Sequence, residues 1–147
     1  MSKQYIIFRL GTESFAASID QVVSITDAHD LSYVPNAPDY IEGLMNLRGE
    51  VLPVINLKKR FDLPQDRASK RILISRVDGR GVGYLVDDAS QSITKEEGDI
   101  LPPPHIALRD GNDFLSEVAI EQNRLILVVD LHKVLSAKEY EQLADHI

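Results

Sequence analysis

Three residue types used in hydrolysis stand close together near the end of the chain: Asp130, His132 and Ser136. Asp130 and His132 share a strand parity, but a Ser-His-Asp relay is defined by geometry, which sequence order does not supply. The adjacent carboxylates Asp87 and Asp88 would serve acid–base work on a glycosidic bond only if they straddled it. Neighbours on a strand point to opposite faces, so the pair reads as a solvated strand end. His29, His105, His132 and His146 lack the spacing that brings two imidazoles onto one metal ion, and "DAHD" (27–30) is the only cluster that could hold one. A polar loop is the simpler reading there. "GRGVG" (79–83) has the glycines of a phosphate loop, yet a strand-like run follows where such a loop must open a helix. The absence of cysteine excludes disulfides, thiolate metal sites and a thiol nucleophile. These patterns imply no catalysis, no metal and no cofactor, and the chain is expected not to be an enzyme.

The remaining residue with chemical potential is Arg48. In "NAPDYIEGLMNLRGEVLPVINL" it separates two apolar half-segments, is followed at once by Gly49, and has no nucleophile, metal ligand or phosphate loop beside it. Its use has to be sought in contacts.

The elements that would position these residues are short strands. Strand-like runs occur at 4–10, 14–19, 43–48, 50–57, 71–77, 81–87, 114–120 and 124–131, several with the period-2 alternation of a half-buried strand. Asp78-Gly79 and the "LRGEV" stretch read as hairpin turns. Pro35, Pro38 and Pro102 to Pro104 mark loops or strand edges. Helix is expected at 56–63 and at the C-terminus, where Ser136 and Glu139 have capping-box spacing. Residues 18–25 fit helix or strand equally. Many short strands with Gly and Pro punctuation imply small barrels or a sandwich within one domain.

At 147 residues the chain can bury a core of its own. Its N-terminal apolar run is broken by Arg9, and the longest later run, 125–129, is far short of the roughly 20 residues that span a bilayer; a cytoplasmic protein is expected. Net charge is −7, all of it in residues 80–147, which carry 6 Lys/Arg against 13 Asp/Glu, while residues 1–79 carry 10 of each. With aromatics at 6% as well, a nucleic-acid or small-ligand barrel lacks the basic stripe and exposed rings it needs. Cations do bunch in "KKRFDLPQDRASKR" (58–71), either as a solvated turn or as a patch for an acidic partner.

Four blocks, "FRLGTESFAASIDQVVSI" (8–25), "VPNAPDYIEGLMNLRGEVLPVINLKKRFDL" (34–63), "ILISRVDGRGVGYLVDDAS" (72–90) and "RLILVVDLHKVL" (124–135), carry a resemblance over nearly the full length. The chain resembles the CheW family, cytoplasmic adaptors that couple chemoreceptors (methyl-accepting chemotaxis proteins) to the histidine kinase CheA in bacterial chemotaxis. The ordered P-N-x-P, N-L-R-G and P-V-I-x-L elements are its most specific part. The resemblance implies a mainly β fold of two SH3-like five-stranded β-barrel lobes in one CheW-like domain, 1–147, with a short C-terminal α-helix. The lobes are expected at roughly 12–79 and 80–135, the second with or without the N-terminal strand, and the helix at 136–146. An apolar groove between the lobes would take the receptor's cytoplasmic tip, and barrel ends would meet the regulatory domain of a CheA-type histidine kinase and other CheW-like domains in rings within receptor arrays. No nucleic acid and no direct membrane insertion are implied. A paralogue serving a non-flagellar, pilus-type pathway is the alternative.

The implied partner-binding positions are Val22, Gly43, Leu47 and Arg48. On the residues alone, Val22 fits a core position equally well, Gly43 fits a turn needing positive φ, and Arg48 fits either a buried stem with its head on nearby carbonyls or a docking contact. Where the family often has glutamate, able to pair with the N-L-R-G arginine, this chain has Ser24; Asn56 replaces a frequent aspartate. Arg48 therefore needs another partner.

Overall fold

A computed structural model describes residues 2–28, 30–65, 68–103 and 114–144. The expectations placed on His29, His105, His146 and Pro104 lie outside them, as do Asp66 and Arg67 of the cation bunch.

Two-residue turns build most of the sheet structure. β4 (Ile41–Leu47) and β5 (Glu50–Asn56) meet through Arg48-Gly49, β6 (Arg71–Val77) and β7 (Arg80–Val86) through Asp78-Gly79, and β10 (Leu115–Glu121) and β11 (Arg124–Val129) through Gln122-Asn123. Both residues of each turn have positive φ, the backbone twist that matches paired strands. β1 (Ser2–Leu10) and β2 (Glu13–Ser18) form a fourth hairpin. The segment 18–25, open between helix and strand, forms a 3₁₀ turn at Ile19–Gln21 and then enters β3 (Ser24–Asp27). β8 (Asp88–Glu96) and the two-residue β9 (Ile100–Leu101) complete the strands.

They make a five-stranded sheet, β3-β6-β7-β5-β4, and a six-stranded sheet, β8-β1-β2-β11-β10-β9. Each is antiparallel except at one pair, β5 with β7 and β2 with β11. Pro53 is tolerated in β5 because the ladder to β7 begins only at Val54. Neither sheet is closed by a ladder among the described residues, so the expected barrels are open, and the second has a sixth strand. The five-stranded sheet is nearly closed by a single bridge from Ser32 to Leu44 on its β4 edge. In the six-stranded sheet, Lys95 pairs with Glu121 at 3.0 Å and the Tyr5 hydroxyl donates to Glu117 at 3.1 Å. There side chains span the gap that backbone leaves.

The chain changes sheets at Asp87, not at residue 80. A two-residue turn cannot part β7 from β6, and their pairing runs from Val77↔Arg80 to Arg71↔Val86. In the same way β2 stays with β1 in the six-stranded sheet, which moves residues 13–18 out of the lobe expected to start at 12.

Between the sheets lies the main core, which takes Phe8 and Phe15 from one, Tyr84 and Val86 from the other, and Leu131 and Val134 from the chain after β11. Phe15, Phe61 and Phe114 continue it as a chain of ring contacts, with centroids 5.9 Å and 4.3 Å apart. A smaller apolar cluster fills each sheet's own concavity. The two sheets thus share one core. α1 (Leu57–Arg60) is one turn, capped by Asn56, and α2 (Ala137–Ala144) begins with the expected capping box. Glu139 N–H donates to Ser136 Oγ at 3.1 Å, and Ser136 N–H donates to Glu139 Oε1 at 2.8 Å.

Candidate partner-docking surface

Arg48 and Gly49 occupy the β4–β5 turn with φ of 52° and 89°. Glycine adopts this backbone freely, whereas a side chain such as arginine gives up on the order of 1–2 kcal/mol there. The turn does not depend on the guanidinium. Gly49 N–H donates to Asn46 Oδ1 at 2.9 Å. Glu50 accepts from both Arg76 terminal nitrogens at 2.6 and 3.2 Å and from Gly81 N–H at 3.2 Å, which holds its carboxyl below the usual carboxylate range. Arg76 also donates to the Gly79 carbonyl at 3.0 Å, so Glu50 and Arg76 lash the β4–β5 and β6–β7 turns together. Arg48 itself is exposed, and among the described residues nothing hydrogen-bonds or pairs with its head. Ser24, at the opposite edge strand, supplies no carboxylate.

The other three implied positions are placed differently. Leu47 is half-buried against the cluster of Met45 and Leu52. Gly43 is buried, and a Cβ there would lie 2.6 Å from the Ser32 carbonyl oxygen. Val22 is half-buried against the main core, on the segment that crosses between sheets. Gly43, Leu47 and Arg48 share one hairpin, and Val22 does not join them.

Beside Val22, the side chain that faces out is Val23, 62% exposed, flanked by Ile19 and Ile25 at 38% each. Sequence reasoning stopped at Val22 and missed this apolar strip. No simple periodicity marks it: Ile19 lies in the 3₁₀ turn, and Val23, Ser24 and Ile25 are all exposed, with Val23 N–H donating to the Ile74 carbonyl at 2.8 Å. Tyr33, 81% exposed next to the Ser32 bridge, carried no sequence signal at all.

Four cations of the basic bunch are engaged within the chain, Arg71 with Asp27 among them, while Lys70 is exposed. Lys58 is buried and pairs with Asp87 at 2.8 Å, Lys59 lies 3.9 Å from Glu42, and Arg60 meets Glu139 at 3.3 Å and the Tyr40 ring at 5.4 Å. The acidic pair is likewise not a solvated strand end, because Asp87 faces inward to Lys58. Burial and Glu139 together push the Tyr40 hydroxyl up to about 12, so it remains a donor to that carboxylate. The would-be triad resolves into caps: Asp130 accepts from His132 N–H at 3.0 Å and from Gln21 Nε2 at 2.8 Å, and Ser136 starts α2.

Asn56 is buried and does two jobs. Its Oδ1 accepts from Lys59 N–H at 3.1 Å, which aspartate could also do, but its Nδ2 donates to Glu42 at 3.1 Å, which aspartate could not. Asn56→Asp is therefore expected to lower the unfolding free energy by about 1–3 kcal/mol at neutral pH, since two carboxylates would then meet in a part-buried site. Urea titration of both proteins at neutral pH checks this, and equal stability contradicts the like-charge account.

A cavity of about 760 Å³ opens where the sheets meet, lined by Arg9, Gly11, Asp27, Ala68, Lys70, Arg71, Asp87 and Asp88. Its wall is charged, unlike the apolar groove expected between the lobes. Among the described residues no cluster of His, Asp and Glu could hold a metal ion, and no helix is long and apolar enough to cross a membrane.

Residues 4–139 match the model of the CheW-like domain. The chain is 32% identical to the chemotaxis protein CheW of Treponema pallidum, covering 97% of this chain and 87% of that protein. It is 35% identical to the chemotaxis protein CheW of Bacillus subtilis, with 97% and 92% covered. Its structure is similar to the crystal structure of the scaffolding protein TtCheW from Thermoanaerobacter tengcongensis, with a TM-score of 0.85 and 32% identity over 95% of this chain and 91% of that one.

Proposed function

Since the chain belongs to the CheW family, we propose that it is a chemotaxis scaffold that joins the cytoplasmic tip of a chemoreceptor to a CheA-type histidine kinase. It acts by presenting surfaces, in the cytoplasm, within receptor arrays whose membrane attachment its partners provide. The match over residues 4–139 carries this reading. The surface agrees with it in kind: an apolar strip at Ile19, Val23 and Ile25 offers burial, and the Arg48 turn offers an unengaged charge on a rigid hairpin. Val22, Gly43 and Leu47 support those surfaces from beneath. Affinity purification with purified receptor tip and kinase regulatory domain tests the proposal, and capture of neither overturns it.

Arg48→Asn separates fold from docking. Asparagine suits the first position of this turn better than arginine does. The variant is expected to gain up to about 1 kcal/mol in stability. It should nonetheless bind at least one partner about tenfold more weakly, through loss of a charged contact. Calorimetric titration and urea unfolding on the same sample measure both; unchanged affinity for both partners removes Arg48 from the docking surface.

A further inference from the structure

The main core is apolar and non-directional, so burial alone does not fix the angle at which one sheet sits on the other. At Asp87, the single residue between β7 and β8, three segments converge on one carboxylate. Lys58 Nζ from α1 lies at 2.8 Å, Ser69 Oγ from the approach to β6 at 2.9 Å, and Gly11 N–H from the β1–β2 turn at 2.6 Å. Asp87's own N–H donates to the Arg9 carbonyl at 3.0 Å, and Lys70 N–H donates to the Val86 carbonyl at 3.1 Å. Lys58 and Ser69 belong with the five-stranded sheet, Gly11 and Arg9 with the six-stranded one. Charged side chains of this kind are rarely enclosed: Lys58 is 1% exposed and Asp87 10%. A buried ion pair is weak as a source of stability compared with apolar residues of the same shape, but its directional, charge-assisted bonds define geometry.

We propose that Lys58 and Asp87 are positioning residues that set the orientation of the two sheets and thereby shape the docking strip. The strip is sensitive to that angle because its ends belong to different sheets. Ile19 follows directly on β2, whereas Val23 is hydrogen-bonded to β6 and Ile25 lies in β3. Between them, Gln21 is tied to the end of β11, its Oε1 accepting from Leu131 N–H at 2.8 Å. A rotation of one sheet on the other would shear Ile19 away from Val23 without unpairing a strand. The consequence for docking rests on the scaffold reading above; the positioning role itself does not.

The test is the double variant K58M/D87N, which removes both charges, keeps approximate shape, and leaves a side-chain amide oxygen at position 87 to accept from Gly11 N–H. Native-state hydrogen exchange should show the amides of Gly11 and residue 87, which cross between the sheets, exchanging at least tenfold faster, while amides inside each sheet, such as those of Ala16, Val54 and Lys70, keep wild-type rates. The receptor-tip affinity should fall about tenfold, and Lys58→Arg, which keeps the charge, should retain most of it. Wild-type exchange at the two junction amides, or a uniform rise at all amides, overturns the proposal. If K58M/D87N does not fold, Ser69→Ala, which takes one bond from the carboxylate, should raise the same two rates several-fold, and no change there overturns it equally. A wild-type protein that binds neither partner refutes the scaffold reading and leaves the exchange result to stand or fall by itself.

Discussion

Asp87→Ala is expected to lower the unfolding free energy by about 3–5 kcal/mol, because it leaves the Lys58 ammonium buried without its counter-charge. Against a total of about 5–15 kcal/mol for an ordinary domain, that is close to unfolding. Asp88→Ala, one residue along, removes an acceptor from Ala89 N–H at the protein surface and should cost less than about 1.5 kcal/mol. The contrast has a pH signature. Burial alone would push the Asp87 carboxyl up, but Lys58, Gly11 N–H and Ser69 outweigh it and hold the group below the usual carboxylate range. A carboxyl that is more acidic folded than unfolded stabilises the protein above its unfolded value of about 3.9, and that contribution is lost as pH falls towards the folded value. The gap between wild type and Asp87→Ala should therefore narrow as pH drops from 7 to about 3. Chemical denaturation across that range measures it, and a pH-independent gap would falsify the ion-pair account.

The same residue shows where sequence stops being informative. Hairpins were legible because their causes are local: Asp78-Gly79 and Arg48-Gly49 supply the positive φ that two-residue turns need. The capping box at Ser136 and Glu139 was legible for the same reason. Asp87 was not, because its environment is assembled from residues 11, 58 and 69, far apart in the chain. A one-dimensional rule for adjacent carboxylates on a strand end predicts solvation, and it held no information about which face Lys58 would fill. The sheet change at 87 rather than 80 follows from pairing partners, and parallel pairs such as β5 with β7 leave no turn between them to be read. For the candidate docking surface, resemblance selected the hairpin and the crossing segment, but only the three-dimensional placement separates half-buried Val22 from exposed Val23.

Gly43→Ala, the other large effect, is expected to cost about 1–3 kcal/mol, as overpacking of a filled site does. The reason lies in what the new methyl would meet. At 2.6 Å from the Ser32 carbonyl oxygen and 3.2 Å from its carbon, it faces backbone, which cannot rotate aside as a side-chain tip can. That backbone is the bridge that nearly closes the five-stranded sheet, with Ser32 N–H donating to the Leu44 carbonyl and Leu44 N–H to the Ser32 carbonyl, each at 2.8 Å. Relief of the clash must lengthen both bonds and release the segment that presents Tyr33. Loss of partner binding in this variant would then arise from a displaced edge and not from a lost contact at position 43, which is buried. Hydrogen exchange at Ser32 and Leu44 distinguishes the two: both amides should lose protection together with affinity. Reduced affinity with those amides still fully protected would mean that Gly43 touches the partner directly, and the closure argument would fail.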